Sequence, residues 1–368
     1  MSSFRTAGEI VTGRGALGCL GERAAALGSK ALLVTGRSAM RKAGVTDRAL
    51  ACLDNATLLE GVEHDPDVTT VDAGREVLRR EGCDVVVGLG GGSAIDAAKA
   101  IAGLANEEAP TREFHQGRPI RSPALPLIAI PTTSGTGAEV TKNAVLSDRE
   151  LRVKKSIRAE TMMPAVAIVD PELTVTCPPS VTAAAGMDAL VQAIEAFTSR
   201  HATAITDALA FSAACRLAKW LPVAFEDGSN LEAREHCAVG SLMAGMALAN
   251  SRLGAVHGIA HPLGARYGLE HGVICGLLMP HVMRLNRPHV GDKYDRLSEA
   301  IGQDIVALVE DFVERFDLKR ALEGVDIPAE DFPAIVAESM PSGSLKANAK
   351  KFTEEDVVAV LEALVASA

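Results

Sequence analysis

The feature that most constrains the fold is a change in hydrophobic pattern about halfway along the 368 residues. In the first half, short runs rich in Val, Ile and Leu alternate with Ala-rich helical stretches. Such alternation favours a mostly parallel sheet flanked by helices. The predicted strands are Lys30–Thr35, Thr57–Glu60, Asp84–Leu89, Leu125–Ile130 and Ala165–Val169.

The second half shows only helical periodicity. A domain boundary is placed at Cys177-Pro178-Pro179, which gives an α/β domain over residues 1–179 and an all-helical domain over 180–368. A cleft between two such domains is the expected ligand site. The predicted helices are Ser180–Ser199, Ala202–Pro222, Ser229–Leu248, Val256–Tyr267, Val273–Leu285 and Phe352–Ala368.

Composition excludes several classes of protein. The net charge of -10 and the lack of a basic stripe argue against a nucleic-acid partner. No uninterrupted apolar run reaches the roughly 18 residues of a membrane span, and the first residues lack the apolar core of a signal peptide. The seven Cys form no C-x-x-C pair, so neither a disulfide scaffold nor a cysteine zinc site is expected. The expected location is the cytoplasm.

A glycine-rich loop follows the predicted strand Asp84–Leu89. Gly90, Gly91, Gly92 and Ser93 lie between this strand and a helix, where backbone N–H groups could hold a pyrophosphate. The alternative is a tight turn with Ser93 as N-cap and Asp96 completing a capping-box-like pair. A second loop, Pro131–Gly137, follows the next clear strand with four hydroxyls and two glycines. Two such loops at strand carboxyl ends favour nucleotide binding.

Histidines cluster in the helical half. His257 and His261 are four residues apart on one predicted helix face, and His271 follows after a turn through Gly268. Upstream, Asp188 and Gln192 share another helix face. Carboxylate and imidazole together suit a divalent transition metal. The alternative is that these histidines only pack or cap helices.

Four segments, GGGSAIDAAKAIA, PTTSGTGAEVT, GMDALVQAIEAF and AVHGIAHPLGARYGLEHGV, together resemble the iron-containing (group III) alcohol dehydrogenases. The resemblance runs from about residue 8 to residue 290. It implies a dehydroquinate-synthase-like fold, with an α/β nucleotide-binding domain and an all-helical domain that holds a metal. It also implies reversible oxidation of an alcohol by NAD(P).

The resemblance also carries roles to particular residues. His261 matches a further active-site histidine that relays a proton or orients substrate, and His271 is expected to be catalytic as well as a ligand. The implied metal ligands are Asp188, Gln192, His257 and His271. The implied cofactor positions are Gly90, Gly91, Gly92, Ser93, Asp96, Thr132, Thr133, Thr136 and Lys154.

Three positions depart from the usual pattern. Gln192 stands where metal-binding relatives usually carry His, so a metal-independent variant stays open. Arg252 stands where many relatives have a small residue. It either faces solvent or caps a helix, or clamps an anionic substrate group. Gly36 replaces an acidic residue that would repel a 2′-phosphate, and it predicts that NADP is accepted. The alternative is that NAD still dominates.

These observations predict an NAD(P)-dependent alcohol dehydrogenase, or aldehyde reductase, assisted by Fe or Zn and acting on a small alcohol or aldehyde. Three alternatives are a metal-independent enzyme like maleylacetate reductase, a lyase of the dehydroquinate-synthase type, and a non-catalytic nucleotide-binding protein. A homodimer is expected, with Phe4–Thr12 as a candidate edge strand. No nucleic acid or membrane partner is expected.

Overall fold

The structure is a computed structural model that describes residues 3–367. It contains two compact units, of which one is Thr6–Cys177 and the other begins at Pro178. Residues 3–5 belong to the second unit, where the Arg5 N–H donates to the Asn250 side-chain oxygen at 2.7 Å. The end of the predicted helix Phe352–Ala368 falls on residue 368, which lies outside the described residues.

The first unit is built on a parallel sheet with the strand order β1-β8-β5-β4-β2-β3, and a separate antiparallel hairpin pairs β6 with β7. The strands are β1 (Glu9–Thr12), β2 (Ala31–Gly36), β3 (Ala56–Val62), β4 (Val85–Gly90), β5 (Leu127–Pro131), β6 (Asn143–Asp148), β7 (Val153–Arg158) and β8 (Val166–Val169). The helices are α1 (Leu20–Leu27), α2 (Ala39–Lys42), α3 (Val45–Ala51), α4 (Val68–Glu81), α5 (Gly92–Gly103) and α6 (Thr111–His115).

Side chains of the central strands alternate between two apolar layers. On β4, Val86 packs with α4 and α5, whereas Val85 and Val87 pack with the helices on the opposite face. At Gly88 a Cβ would lie 2.7 Å from the Ala98 Cβ, so α5 can lie this close to β4 because the strand has glycine there. This packing fixes the start of α5 at the end of β4.

The second unit is helical throughout its described regular elements, and its core is a single large apolar cluster. Its helices are α7 (Pro179–Thr198), α8 (Ala204–Glu226), α9 (Leu231–Ser251), α10 (Ala255–Tyr267), α11 (His271–Asn286), α12 (Lys293–Ile301), α13 (Ile305–Arg315), α14 (Phe332–Ser339), α15 (Gly343–Ala347) and α16 (Glu354–Ala366). By length and composition, α8 is the one described helix that could cross a membrane, and it packs against α7 and α9 within this unit.

The fold class predicted from the sequence is confirmed. All five predicted strands form within two residues of the expected bounds, in one parallel sheet. Of the candidate edge strand Phe4–Thr12, the part Glu9–Thr12 forms β1, which lies at the sheet edge beside β8. The hairpin of β6 and β7 and the helices from Lys293 to Ala347 were not predicted.

Candidate active site

Two loops leave the sheet of the first unit side by side. β4 ends at Gly90 and β5 ends at Pro131, and these two residues are paired in the parallel register. The Thr132 N–H donates to the Gly90 carbonyl oxygen at 2.9 Å, which joins the two loops directly. The glycine-rich and hydroxyl-rich segments therefore lie together at the carboxyl edge of the sheet, the usual ligand edge of open α/β folds.

Glycine is required by the close packing of these loops. Gly90 has φ +150°, and a Cβ on Gly92 would lie 2.7 Å from the Thr136 methyl carbon. Glycine at positions 90 and 92 therefore lets the two loops pack closely and keeps side chains off the backbone N–H groups there.

The alternative in which Ser93 is the N-cap of the helix after a tight turn is wrong. The N-cap of α5 is Gly91, with no side-chain cap, and Ser93 lies inside the helix. Its hydroxyl instead accepts a hydrogen bond from the Asp65 N–H at 3.2 Å. The first turn of α5 thus keeps N–H groups that no side chain caps, which suits an anion.

Lys154 reaches the same region through Asp65. The Lys154 ammonium lies 2.8 Å from the Asp65 carboxylate, and the Asp65 backbone is bound to Ser93. Sequence reasoning missed Asp65, although its position just after β3, at the carboxyl end of a strand, was a usable signal. Asp65 therefore links the two predicted residues, binding Ser93 through its backbone N–H and Lys154 through its carboxylate.

Asp96 already has partners within the protein. Its carboxylate accepts the Val145 N–H at 3.0 Å and lies 3.6 Å from the ammonium of the fully buried Lys99. Lys99 also donates to the Ala138 carbonyl oxygen at 2.6 Å. These bonds hold β6 against α5, and a contact of Asp96 with a cofactor stays a prediction.

Gly36 ends β2, whose neighbour in the sheet is β4. The two residues that follow, Arg37 and Ser38, are exposed. No acidic side chain stands at positions 36 to 38 of the sequence. This end of β2 therefore presents neither the repulsion nor the hydrogen-bond acceptor that favours NAD over NADP.

The second unit gathers the predicted carboxylate and imidazoles from three helices. Asp188 and Gln192 lie one turn apart on α7, each with 4% of its surface exposed. His257 lies in the first turn of α10, and His271 is the first residue of α11. All three helices carry mostly apolar side chains into the shared core, which buries Asp188, Gln192 and His257, whereas the His271 side chain stays 33% exposed.

The distances in this cluster suit a shared ion. His257 Nε2 lies 3.1 Å from Asp188 Oδ1, and His271 Nε2 lies 3.8 Å from the same oxygen. Two ligand atoms on a tetrahedral Zn²⁺ at about 2.0–2.1 Å are about 3.3 Å apart. The donor set and its spacing therefore fit a divalent transition metal.

Glu195 orients His257 and was missed by sequence reasoning. It lies seven residues after Asp188 on α7 and is 2% exposed. Because a carboxylate only accepts, His257 Nδ1–H donates to Glu195 Oε2 at 2.7 Å. The N–H groups of Gly254 and Val256 donate to the same carboxylate at 2.8 and 2.7 Å. This leaves Nε2 directed at Asp188, as in carboxylate–histidine–metal arrangements. The i, i+7 spacing from Asp188 was the available signal.

Cys275 is a second residue that sequence reasoning missed. It lies one turn after His271 on α11, is fully buried, and its Sγ lies 3.7 Å from His271 Nε2. Asp188, His257, His271 and Cys275 offer ligand atoms that all lie within 4.8 Å of one another. The sequence predicts no cysteine zinc site, whereas this geometry makes Cys275 a candidate ligand. All seven cysteines are free.

The charges of the cluster favour a cation. Burial opposes protonation of His257, but the contacts with Cys275, Asp188 and Glu195 outweigh it and hold the pKa of His257 well above its usual range. Burial likewise opposes ionisation of Asp188, yet the two imidazoles lower the pKa of this carboxyl. A positive charge is thus stabilised where these side chains meet.

Gln192 presents one free acceptor. Its Oε1 atom is buried and has no hydrogen-bond partner among the described residues. A buried, unpaired carbonyl oxygen costs stability unless something binds it. The amide therefore fits a site that receives an additional group.

His261 and Arg252 lie at the exposed side of these elements. His261 is exposed on α10 and stacks on the His271 ring, with ring centroids 5.1 Å apart. Arg252 ends α9 with φ +64° and ψ -173°, a conformation found almost only in glycine. Its side chain is exposed and has no hydrogen bond or ion pair within residues 3–367.

The turn that carries Arg252 is held on both sides. The Ser251 carbonyl oxygen accepts from the Ser199 hydroxyl, and the Gly254 N–H donates to Glu195. The next residue, Ala255, donates its N–H to Asn348 at 3.1 Å. The surrounding structure therefore enforces the strained backbone of Arg252, immediately before the helix that bears His257.

Comparison with known proteins places this geometry in a family. Residues 7–171 match the family described as iron-containing alcohol dehydrogenase, and residues 182–365 match the C-terminal domain of the Fe-containing alcohol dehydrogenase family. The chain is 37% identical to 1,3-propanediol dehydrogenase of Klebsiella pneumoniae, with 95% of each chain covered. It is 36% identical to lactaldehyde reductase of Escherichia coli K12, covering 94% of this chain and 95% of the relative.

A solved structure agrees with these matches. The sulfoacetaldehyde reductase of Bifidobacterium kashiwanohense, in complex with NAD⁺, superposes with a TM-score of 0.94 at 31% identity over all of both chains. Fold, sequence and the order of the motifs thus lead to one assignment. The chain belongs to the iron-containing alcohol dehydrogenase family and is an oxidoreductase acting on CH–OH groups.

Proposed function

We propose that the protein interconverts a small alcohol and its aldehyde with NAD(P), assisted by a divalent metal that Asp188, His257 and His271 hold. The observation that carries the proposal is the convergence of these three side chains, with Glu195 bound to the Nδ1 atom of His257. When bound, the metal supplies Lewis acidity at the substrate oxygen, and the nicotinamide supplies or accepts the hydride.

The residues of the chain have separate tasks in this scheme. Glu195 fixes the ring orientation of His257. His261 is exposed and stacks on His271, so it is suited to exchange the substrate proton with solvent. The loops after β4 and β5 hold the cofactor pyrophosphate through backbone N–H groups and the hydroxyls of Thr132, Thr133 and Thr136.

Gly36 supports the use of NADP as well as NAD. A 2′-phosphate at the end of β2 would meet no acidic side chain there, and the exposed Arg37 offers it a guanidinium. We propose that NADP is accepted. A homodimer in the cytoplasm stays a prediction.

The experiment that tests the function combines metal content with turnover. Protein purified without chelator should contain close to one divalent metal per chain, and reduction of aldehydes should consume NADH or NADPH stoichiometrically. Removing the metal with a chelator should abolish turnover, and Zn²⁺ or Fe²⁺ should restore it. Turnover that persists without metal would instead support the metal-independent alternative, and a strong preference for NAD would contradict the cofactor proposal.

Arg252 supports an anionic group on the substrate. A strained conformation in an arginine, next to the helix of His257, persists only if it is useful, because glycine would relieve it. The relative named sulfoacetaldehyde reductase acts on an aldehyde that carries a sulfonate. We propose that the Arg252 guanidinium binds a sulfonate, carboxylate or phosphonate on the substrate.

Substrate comparison tests this role. Arg252→Ala should raise KM for a sulfonate-bearing aldehyde about 10–150-fold, the equivalent of about 1.5–3 kcal/mol for a charged hydrogen bond. The KM for propanal should stay unchanged. Arg252→Gly should lose the same binding while raising stability by about 1 kcal/mol, since its backbone is no longer strained.

The matched control is Arg266→Ala, which removes another surface arginine, paired with Glu338 at the end of α10. It should change neither KM. Equal effects of Arg252→Ala on the KM for propanal and the KM for the acidic aldehyde would refute the proposal that Arg252 binds the anionic group.

A further inference from the structure

The candidate metal site lacks one imidazole ligand that the family pattern includes. The resemblance places a metal-ligating histidine at position 192, where this chain has Gln. An amide oxygen is a neutral and weaker ligand than an imidazole. The remaining set of one carboxylate and two imidazoles leaves a fourth ligand to be supplied.

We propose that the Cys275 thiolate is this fourth ligand, so that the site consists of Asp188, His257, His271 and Cys275. The substrate oxygen would then be a fifth ligand, since zinc sites can expand to five-coordinate during catalysis. The inference rests on the proposed metal-assisted function and specifies its metal site. Binding replaces the S–H bond by a metal–sulfur bond, and the thiol proton leaves to solvent.

Geometry supports the thiolate. Cys275 and His271 are four residues apart on α11, so their side chains lie on one helix face. A sulfur at about 2.3 Å and a nitrogen at about 2.0–2.1 Å from a tetrahedral ion are about 3.6 Å apart. The observed distance from Cys275 Sγ to His271 Nε2 is 3.7 Å. All four ligand atoms lie within 4.8 Å of one another before any ion pulls them together.

The surroundings of Cys275 differ from those of the other cysteines. Among all seven, only Cys275 lies in a group of three or more described residues able to hold a metal. Cys237 is also buried, but it lies on α9 away from this group. Cys275 therefore provides the missing donor, and Gln192 stays outside the proposed ligand set.

The proposal specifies the metal. A thiolate is a soft ligand that favours Zn²⁺ over hard cations such as Mg²⁺ or Mn²⁺, and tetrahedral sites with mixed S and N donors are typical of zinc. The thiolate also adds a negative charge that neutralises the ion in a buried site. We therefore expect zinc to be the metal that this chain retains most tightly.

Cobalt provides the test, since Co²⁺ replaces Zn²⁺ and a thiolate ligand produces charge-transfer absorption in the near ultraviolet. Metal-free full-length protein is titrated with Co²⁺ alone and its spectrum recorded. The wild type should show this absorption and saturate at one Co²⁺ per chain. Cys275→Ser should lose it and weaken zinc binding by more than about 100-fold, beyond the range for an outer-shell residue. Cys237→Ser and Gln192→Ala should keep the absorption.

The outcomes separate the two proposals. If wild-type protein binds one Co²⁺ without thiolate absorption, Cys275 is not a ligand, while the metal-assisted function stands with Gln192 as its remaining ligand candidate. If wild-type protein binds no Co²⁺ or Zn²⁺ at all, the metal-assisted function itself fails. Because the wild-type spectrum decides, the test does not depend on whether Cys275→Ser folds.

Discussion

Replacing Glu195 by Gln is expected to weaken zinc binding about 10–100-fold, although Glu195 itself touches no metal. The three partners of this carboxylate are all donors, namely the Gly254 N–H, the Val256 N–H and His257 Nδ1. A glutamine has one acceptor oxygen and turns a donating NH₂ toward the others. At least one buried donor then loses its partner, at a cost of about 1–3 kcal/mol.

The measurement is a zinc competition titration against a chromogenic chelator, together with thermal unfolding of the metal-free protein. The zinc affinity and the unfolding temperature should both fall, because Glu195 fixes His257 and also caps the start of α10. Glu226→Gln is the matched control, since this exposed carboxylate only pairs with Arg315 on the surface. Unchanged zinc affinity in Glu195→Gln would mean that His257 does not depend on this hydrogen bond or does not bind the metal.

The central strands could be predicted from the sequence because β2, β4 and β5 are buried on both faces. Their runs, such as Val85–Leu89, are largely apolar and are followed by glycine or proline. The hairpin β6–β7 gives no such signal, since β7 reads VKKSIR and leaves five of its six residues exposed or partly exposed. Its position depends on Lys99 and Asp96 of α5, which hold β6 from a distance in sequence.

The candidate site was predictable where its residues share one helix, and less so where helices cross. Asp188 and Gln192 follow from a spacing of four residues, and His257 and His271 from their chemistry. Glu195 acquires its role only because α10 begins beside it, some sixty residues later in the sequence. Cys275 reads as an ordinary apolar residue of α11 until the crossing with α7 brings Asp188 near.

This crossing of α7 and α11 leads to the second large expected effect. At Gly272, the residue after His271, a Cβ would lie 2.0 Å from the Ala184 backbone carbonyl oxygen on α7. A carbon and an oxygen in ordinary contact are more than 3 Å apart, so Gly272→Ala must move the helices apart by about 1 Å. Overpacking of this kind costs about 1–3 kcal/mol, and occasionally more.

The displacement also affects the candidate metal site. Ala184 lies one turn before Asp188 on α7, and Gly272 is adjacent to His271, so widening the crossing separates these two side chains. A misplacement of about 1 Å can lower turnover about 100-fold. We therefore expect Gly272→Ala to lower both the unfolding temperature and kcat, and to weaken zinc binding.

Two controls make this argument specific to the backbone contact. Because the opposing atom is a main-chain oxygen, adding Ala184→Gly should not rescue the variant, whereas a clash with a side chain would be relieved. Gly343→Ala places the same methyl group in the first turn of α15, with nothing within 4 Å, and should be neutral or stabilise by about 0.4–1 kcal/mol. Rescue by Ala184→Gly, or wild-type stability in Gly272→Ala, would show that His271 is positioned by something other than this close crossing.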